Sequence, residues 1–124
     1  MNISLISVKE SEINFLSQLK KYISSKIINV NVSITIVDSV LDLPKKLHEQ
    51  ENTDLIFVCY YYAEDSNEIK VMLEKLVDFE IKTGKSIVKA IKKQKEDDIN
   101  EDEQELAERF GKMIVKKLIG IEPE

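Results

Sequence analysis

Residues 54–60, with the sequence DLIFVCY, decide the fold class of this chain. After its first residue the stretch is apolar or aromatic at every position, so a strand formed here would bury side chains on both of its faces. Such a strand is typical of the centre of a parallel sheet that helices cover on two sides. The segment therefore predicts an α/β protein.

One strand and one helix are predicted at the start of the chain. Residues 2–8 are rich in β-branched side chains and alternate in part, which favours a strand. Residues 10–26 place apolar side chains at three- or four-residue steps and so predict a helix. Ser7 and Glu10 have the spacing of a capping box at the start of that helix.

A second strand and helix lie between this unit and the central strand. Residues 30–37 alternate strictly between apolar and polar side chains, as expected for the edge of a sheet. Residues 42–50 predict a short helix, with Asp42 as its N-cap and Pro44 in its first turn.

Two more helices and one strand are predicted after the central strand. Residues 66–83 have helical periodicity, and Gly84 is placed to end that helix. Residues 86–92 predict the fourth strand. An acidic run at 95–105 reads as a solvated loop that leads into a last helix, which ends at Gly120.

Alternation of strands and helices indicates a parallel sheet joined by right-handed crossovers. With 54–60 central and 30–37 at an edge, the predicted strand order is 2-1-3-4 with four helices. This is a flavodoxin-like three-layer α/β sandwich, and the length of 124 residues fits a single domain over 1–124.

Composition disfavours several classes of function. A net charge of −5 and a single arginine, Arg109, argue against nucleic acid as a partner. One cysteine, Cys59, and one histidine, His48, leave no Cys-rich zinc site, and we expect no metal and no cofactor. With no long apolar run and no signal-peptide pattern, we expect no membrane association and a cytoplasmic location.

Known phosphate and phosphorelay motifs are also missing. The three glycines do not follow a strand into a helix, so no glycine-rich phosphate loop is predicted. The first strand lacks paired acids, and the third ends in Cys59 rather than an aspartate, which disfavours a phosphorylated receiver domain.

Candidate binding residues follow from the topology, because ligands of open α/β sheets bind at the carboxyl ends of the strands, where the strand order reverses. In this order the switch lies between strands 1 and 3. A run of three tyrosines there offers faces for stacking on a small aromatic heterocycle, although tyrosines are also common at strand ends and subunit interfaces. The candidate substrate-binding residues are Asp38, Ser39, Tyr60, Tyr61, Tyr62, Glu64 and Asp65.

Several of these residues have alternative explanations. Asp38 and Asp65 stand where helix N-caps are needed, and capping is favoured over general acid or base catalysis. Cys59 is predicted to be a small buried apolar residue in preference to a nucleophile. His48 falls near the end of the second helix, where it favours the helix dipole. No catalytic residue is assigned.

Four segments, in order, carry a resemblance to a known family: Asp42-Leu43-Pro44, the strand DLIFV at 54–58, Ala63-Glu64, and GKSIV at 84–88, followed by an acidic loop and a final helix. From about 30 to 118, the chain resembles the lumazine synthase superfamily, and particularly the archaeal type of riboflavin synthase. This resemblance implies a flavodoxin-like subunit in a homo-oligomer, the family's form being a pentamer with sites shared between neighbours.

By the same resemblance, the site would bind a ribityllumazine-type heterocycle and could carry out transferase chemistry of riboflavin biosynthesis. Residues 39–41 would match the loop that holds the ring or ribityl chain, and residues 60–65 the loop that faces the reacting partner. The chain departs from the family where tyrosines replace the glycines after strand 3, and where the lumazine synthase histidine has no counterpart. Two hypotheses follow: a flavin-pathway ligand binder, or a non-catalytic homo-oligomeric interaction protein that kept the fold and lost the site.

Overall fold

The structure is a computed structural model, and it describes residues 1–50, 52–94 and 102–120. Strands and helices alternate along the chain. The strands are β1 (Asn2–Val8), β2 (Asn31–Val37), β3 (Leu55–Tyr62) and β4 (Ile87–Lys93), and the helices are α1 (Leu16–Lys26), α2 (Asp42–His48), α3 (Asn67–Thr83) and α4 (Glu103–Ile119).

The four strands form one parallel sheet in the order β2-β1-β3-β4. The predicted strand order and the predicted flavodoxin-like arrangement are therefore confirmed. The central segment is buried from Leu55 to Tyr61, as its uninterrupted apolar sequence predicts. β2 lies at one edge of the sheet, which also agrees with its alternating pattern.

Each face of the sheet carries its own apolar core. On one face, alternate strand residues such as Leu5 and Phe57 pack against α1 and α4. On the other face, residues such as Ile6 and Val58 pack against α2 and α3. Because successive strand side chains point to opposite faces, β1 and β3 contribute to both cores.

The first helix begins later than predicted. α1 starts at Leu16 instead of residue 10, and Asn14 accepts a hydrogen bond from the Leu16 backbone N–H at 3.1 Å. The predicted capping box of Ser7 and Glu10 is wrong, because Ser7 belongs to β1 and its hydroxyl donates to the carbonyl of Val8. The residues between β1 and α1 are used instead to cross the top of the sheet.

The predicted cap of the second helix is also wrong. Asp42 is the first residue of α2 and Leu41 precedes it as the N-cap, without a side-chain hydrogen bond. The Asp42 carboxylate instead accepts from the backbone N–H of Ser39 at 3.2 Å, while the Asp42 N–H donates to the Ser39 carbonyl at 3.0 Å. This reciprocal pair fixes the turn that leaves β2.

The observed ends of α3 and α4 confirm some of the predicted caps and correct others. Ser66 caps α3, accepting from the Ile69 N–H at 3.2 Å, so the predicted capping role of Asp65 is wrong. The predicted capping role of Asp38 is wrong as well, because Leu41 is the N-cap of α2 and no side chain caps that helix. Gly84 and Gly120 end α3 and α4 in the left-handed conformation, as predicted.

Asp102 caps α4 by accepting from the N–H of Gln104. Residues 95–101, most of the acidic run predicted as a solvated loop, lie outside the described residues. No helix in the described part of the chain is long and apolar enough to cross a membrane.

A glycine lies at the contact between α1 and α4. Gly111 of α4 is buried against the ring of Tyr22 from α1, and a Cβ added at Gly111 would lie 2.9 Å from Cγ of that ring and closer still to Cδ1. A glycine is therefore required for α1 and α4 to pack at this separation.

We predict that Gly111→Ala lowers the free energy of unfolding by about 1–3 kcal/mol, although alanine has the higher helix propensity, because the Tyr22 ring must shift. Urea unfolding followed by circular dichroism measures the change. In a Tyr22→Ala background the same glycine substitution should be neutral or stabilising. An equal loss in both backgrounds would contradict the contact as its cause.

Candidate functional site

The switch between β1 and β3 is where this topology would hold a ligand. β1 pairs with β3 as far as Ser7 and Cys59, whereas β3 continues to Tyr62. Beyond that point the edge of β3 that faces β1 needs new partners for its backbone. What supplies those partners decides whether the crevice is open.

The loop from β1 to α1 supplies them and fills the crevice. The backbone N–H of Glu12 donates to the Tyr61 carbonyl at 2.8 Å, and the Tyr61 N–H donates to the Ser11 hydroxyl at 2.9 Å. Below these bonds, the Ile13 carbonyl accepts from the thiol of Cys59 at 3.6 Å. The protein's own chain therefore occupies the place where a ligand would lie on this face.

The three candidate tyrosines do not share one face. The predicted strand ended at Tyr60, but β3 runs on to Tyr62, so the tyrosines alternate across the sheet. Tyr61 is fully buried on the α1 and α4 face, where its ring packs edge-on against Phe15 at 6.3 Å. Tyr60 and Tyr62 lie on the α2 and α3 face with ring centroids 5.5 Å apart.

Tyr62 lines a shallow hollow at the start of α3, which we call the Tyr62 hollow. Its volume is about 490 Å³, and its residues are Tyr62, Asp65, Ser66, Asn67, Ile69, Lys70 and Leu73. The side chain of Asp65 pairs at 2.9 Å with the ammonium group of Lys93 at the end of β4. The hollow thus combines one half-buried aromatic ring with an exposed ion pair.

The remaining candidates lie elsewhere on the carboxyl edge. Asp38 is exposed after β2, and Ser39 is held in the turn that leads into α2. β1 separates β2 from β3, so two strand spacings, about 10 Å, lie between these residues and the tyrosines. Glu64 is exposed in the loop after β3. The structure brings Tyr62 and Asp65 together but not Tyr61, Asp38 or Ser39.

The surroundings of Tyr60 are acidic. Burial raises the pKa of its phenol, and the negative charges of Glu10, Glu68 and Glu12 raise it further. Sequence reasoning did not select these three glutamates, because only the fold brings residues 10–12 near residue 68. An acidic environment disfavours a phosphate-bearing ligand and is compatible with a neutral one.

Cys59 has the environment of a structural residue. Its side chain is fully buried within β3, and burial raises the pKa of the thiol to about 12. The hydrogen bonds with Ser11 and Ser7 act in the opposite direction but do not offset burial. A thiol in this state is a poor nucleophile, in agreement with the interpretation of Cys59 as a small apolar residue.

His48 packs against an aromatic ring, and the described acidic residues do not gather into a metal site. His48 ends α2, and its ring lies edge-on to Phe79 of α3 at 6.0 Å. Within 1–50, 52–94 and 102–120, no group of three or more His, Cys, Asp or Glu side chains could hold a metal ion.

The sequence matches no known protein family, and no curated protein matches it significantly.

We predict that Cys59 of the folded protein reacts with a disulfide reagent at pH 8 at least about a hundredfold more slowly than in urea, because little thiolate forms in the fold. Since the folded pKa of about 12 exceeds the ordinary value of 9.0, the neutral thiol's contribution to stability is complete below pH 9 and is lost as the pH rises towards 12. Cys59→Ala should remove that part of the pH dependence. Equal reactivity in both states would contradict this burial.

Proposed function

We propose that this chain is a non-catalytic protein that acts through homo-oligomeric association, using a flavodoxin-like fold whose ligand crevice is closed. The observation that carries the proposal is the loop between β1 and α1, whose Ser11 and Glu12 complete the backbone hydrogen bonds of Tyr61. A ligand at the switch point would have to displace these bonds and expose the core beneath them.

Two further observations support this proposal. The residues with catalytic potential are dispersed or protected: Cys59 is buried, and Asp38 is separated from Tyr62 by β1. The edge strand β2 exposes two apolar side chains of one face, Ile34 and Ile36, and exposed apolar groups that lie together are typical of interaction surfaces.

Binding of a small aromatic heterocycle remains the second candidate, and the Tyr62 hollow favours it. Its volume falls in the range of ligand pockets, and Tyr62 offers a ring face beside the polar groups of Ser66 and Asn67. A ribityllumazine would fit this chemistry better than a sugar phosphate, given the glutamates near Tyr60. This site lies outside the switch-point crevice.

One sample tests both candidates. We predict that the purified protein sediments as a homo-oligomer of the 14.3 kDa chain. We also predict that adding the protein does not change the fluorescence of 6,7-dimethyl-8-ribityllumazine or riboflavin, at ligand concentrations up to millimolar. Both expectations follow from a closed crevice and an exposed apolar surface.

A monomer that binds either compound with micromolar affinity would contradict the proposal and favour the second candidate. Tyr62→Ala would then locate the ligand: loss of binding places it in the Tyr62 hollow. Tyr60→Phe serves as the control, because it keeps the buried ring and removes only the hydroxyl.

A further inference from the structure

The two edges of the sheet differ in charge. β4 carries Lys89, Lys92 and Lys93 among its seven residues, whereas the seven residues of β2, NVSITIV, include no charged side chain. Proteins commonly place lysines on open edge strands, where the charge discourages pairing with other strands. β4 has this protection and β2 lacks it.

β2 also exposes apolar side chains beside that edge. Ile34 and Ile36 are 37% and 53% exposed, and the register with Leu5 and Ser7 places them on the face that carries α1 and α4. Neither residue belongs to the core on that face, although Val32 packs against it. The apolar face predicted for this strand is therefore only partly covered by its own chain.

The course of α1 explains why the cover is incomplete. Phe15, just before α1, contacts Phe57 of β3, so the helix begins over the middle of the sheet. Further along, Lys20 and Ser24 border a cleft with Val32 near the amino end of β2. The helix thus crosses obliquely and leaves Ile34 and Ile36 partly exposed on this face.

We propose that β2 pairs in antiparallel fashion with β2 of a second copy, about a two-fold axis beside Ile34. The two four-stranded sheets then form a single sheet of eight strands. This inference rests on the proposed homo-oligomeric function and names its interface. Pairing centred on Ile34 aligns all seven residues, with Val32 opposite Ile36 and Ser33 opposite Thr35. Every pair then joins side chains of the same face.

A second copy fits this edge better than an unrelated partner, because the strand is complementary to itself. Because β2 has no charged side chain, two copies of the strand that meet about a two-fold axis experience no like-charge repulsion along its seven residues. The same axis brings the amino end of one β2 beside the carboxyl end of the other. Ile28, which is 88% exposed, precedes β2, and the exposed Leu41 follows it, so both would extend the apolar contact.

Lysine substitution tests the interface. Ile34→Lys would set two ammonium groups opposite each other at the axis, and we expect the mass in sedimentation equilibrium to fall from twice the chain mass to the chain mass of 14.3 kDa. Ile81→Lys is the matched control, since Ile81 is 77% exposed on α3, and it should stay dimeric. Circular dichroism verifies that both variants are folded.

Cysteine substitution tests the register without relying on dissociation. Ile34→Cys should form an intermolecular disulfide with oxidised glutathione, because residues opposite each other in an antiparallel pair lie about 4.5–5.5 Å apart at Cα, within reach of a disulfide. Ile36→Cys should not, because its two copies would lie four residues apart, about 13 Å. The native Cys59 is buried and does not interfere.

The outcomes separate this inference from the proposed function. An oligomer that persists in Ile34→Lys, or a disulfide formed by Ile36→Cys and not by Ile34→Cys, overturns the interface and leaves the homo-oligomer standing. A wild-type protein that is monomeric at all concentrations overturns both. Dissociation by Ile34→Lys alone, together with selective cross-linking through Ile34→Cys, supports both.

Discussion

Burial of β3 on both faces is the constraint on which the rest of this structure depends. A strand with apolar side chains pointing both ways needs a helical layer on each side, and the four helices divide into two pairs to provide these layers. Neighbouring parallel strands satisfy its backbone along most of its length. At Tyr61 the β1 neighbour has ended, and the loop with Ser11 and Glu12 takes over.

The replacement of β1 by this loop beside Tyr61 connects the closed crevice with the exposed edge of β2. Because residues 9–15 cross the top of the sheet to reach β3, the helix that follows starts over β3 and runs obliquely across the sheet. The same path fills the switch point and leaves Ile34 and Ile36 partly exposed. The filled switch point and the exposed apolar face of β2 thus have one structural origin.

The fold could be predicted from the sequence because its signals are local. The continuous apolar run at 54–60, the alternation at 30–37 and the helical spacing before Gly84 each identify an element without knowledge of its neighbours. The strand order could be predicted because one segment has the pattern of a central strand and another has the pattern of an edge strand.

The site could not be predicted in the same way, because it depends on contacts between distant segments. The run of tyrosines gives no sign that β3 continues through it, which is what sends Tyr61 to one face and Tyr60 and Tyr62 to the other. The hydrogen bond from Tyr61 to Ser11 spans fifty residues, and the polar residues at 10–12 resemble the start of a helix. Tertiary hydrogen bonding replaced the predicted helical turn there.

Hydrogen exchange at two backbone amides tests the closed crevice most directly. If the loop is part of the sheet, the Glu12 and Tyr61 amides, followed by NMR in deuterated buffer, should be protected to within about tenfold of β3 core amides such as that of Phe57. Exchange of both amides at the rate of an unstructured peptide would contradict the account, because the crevice would then be open to a ligand.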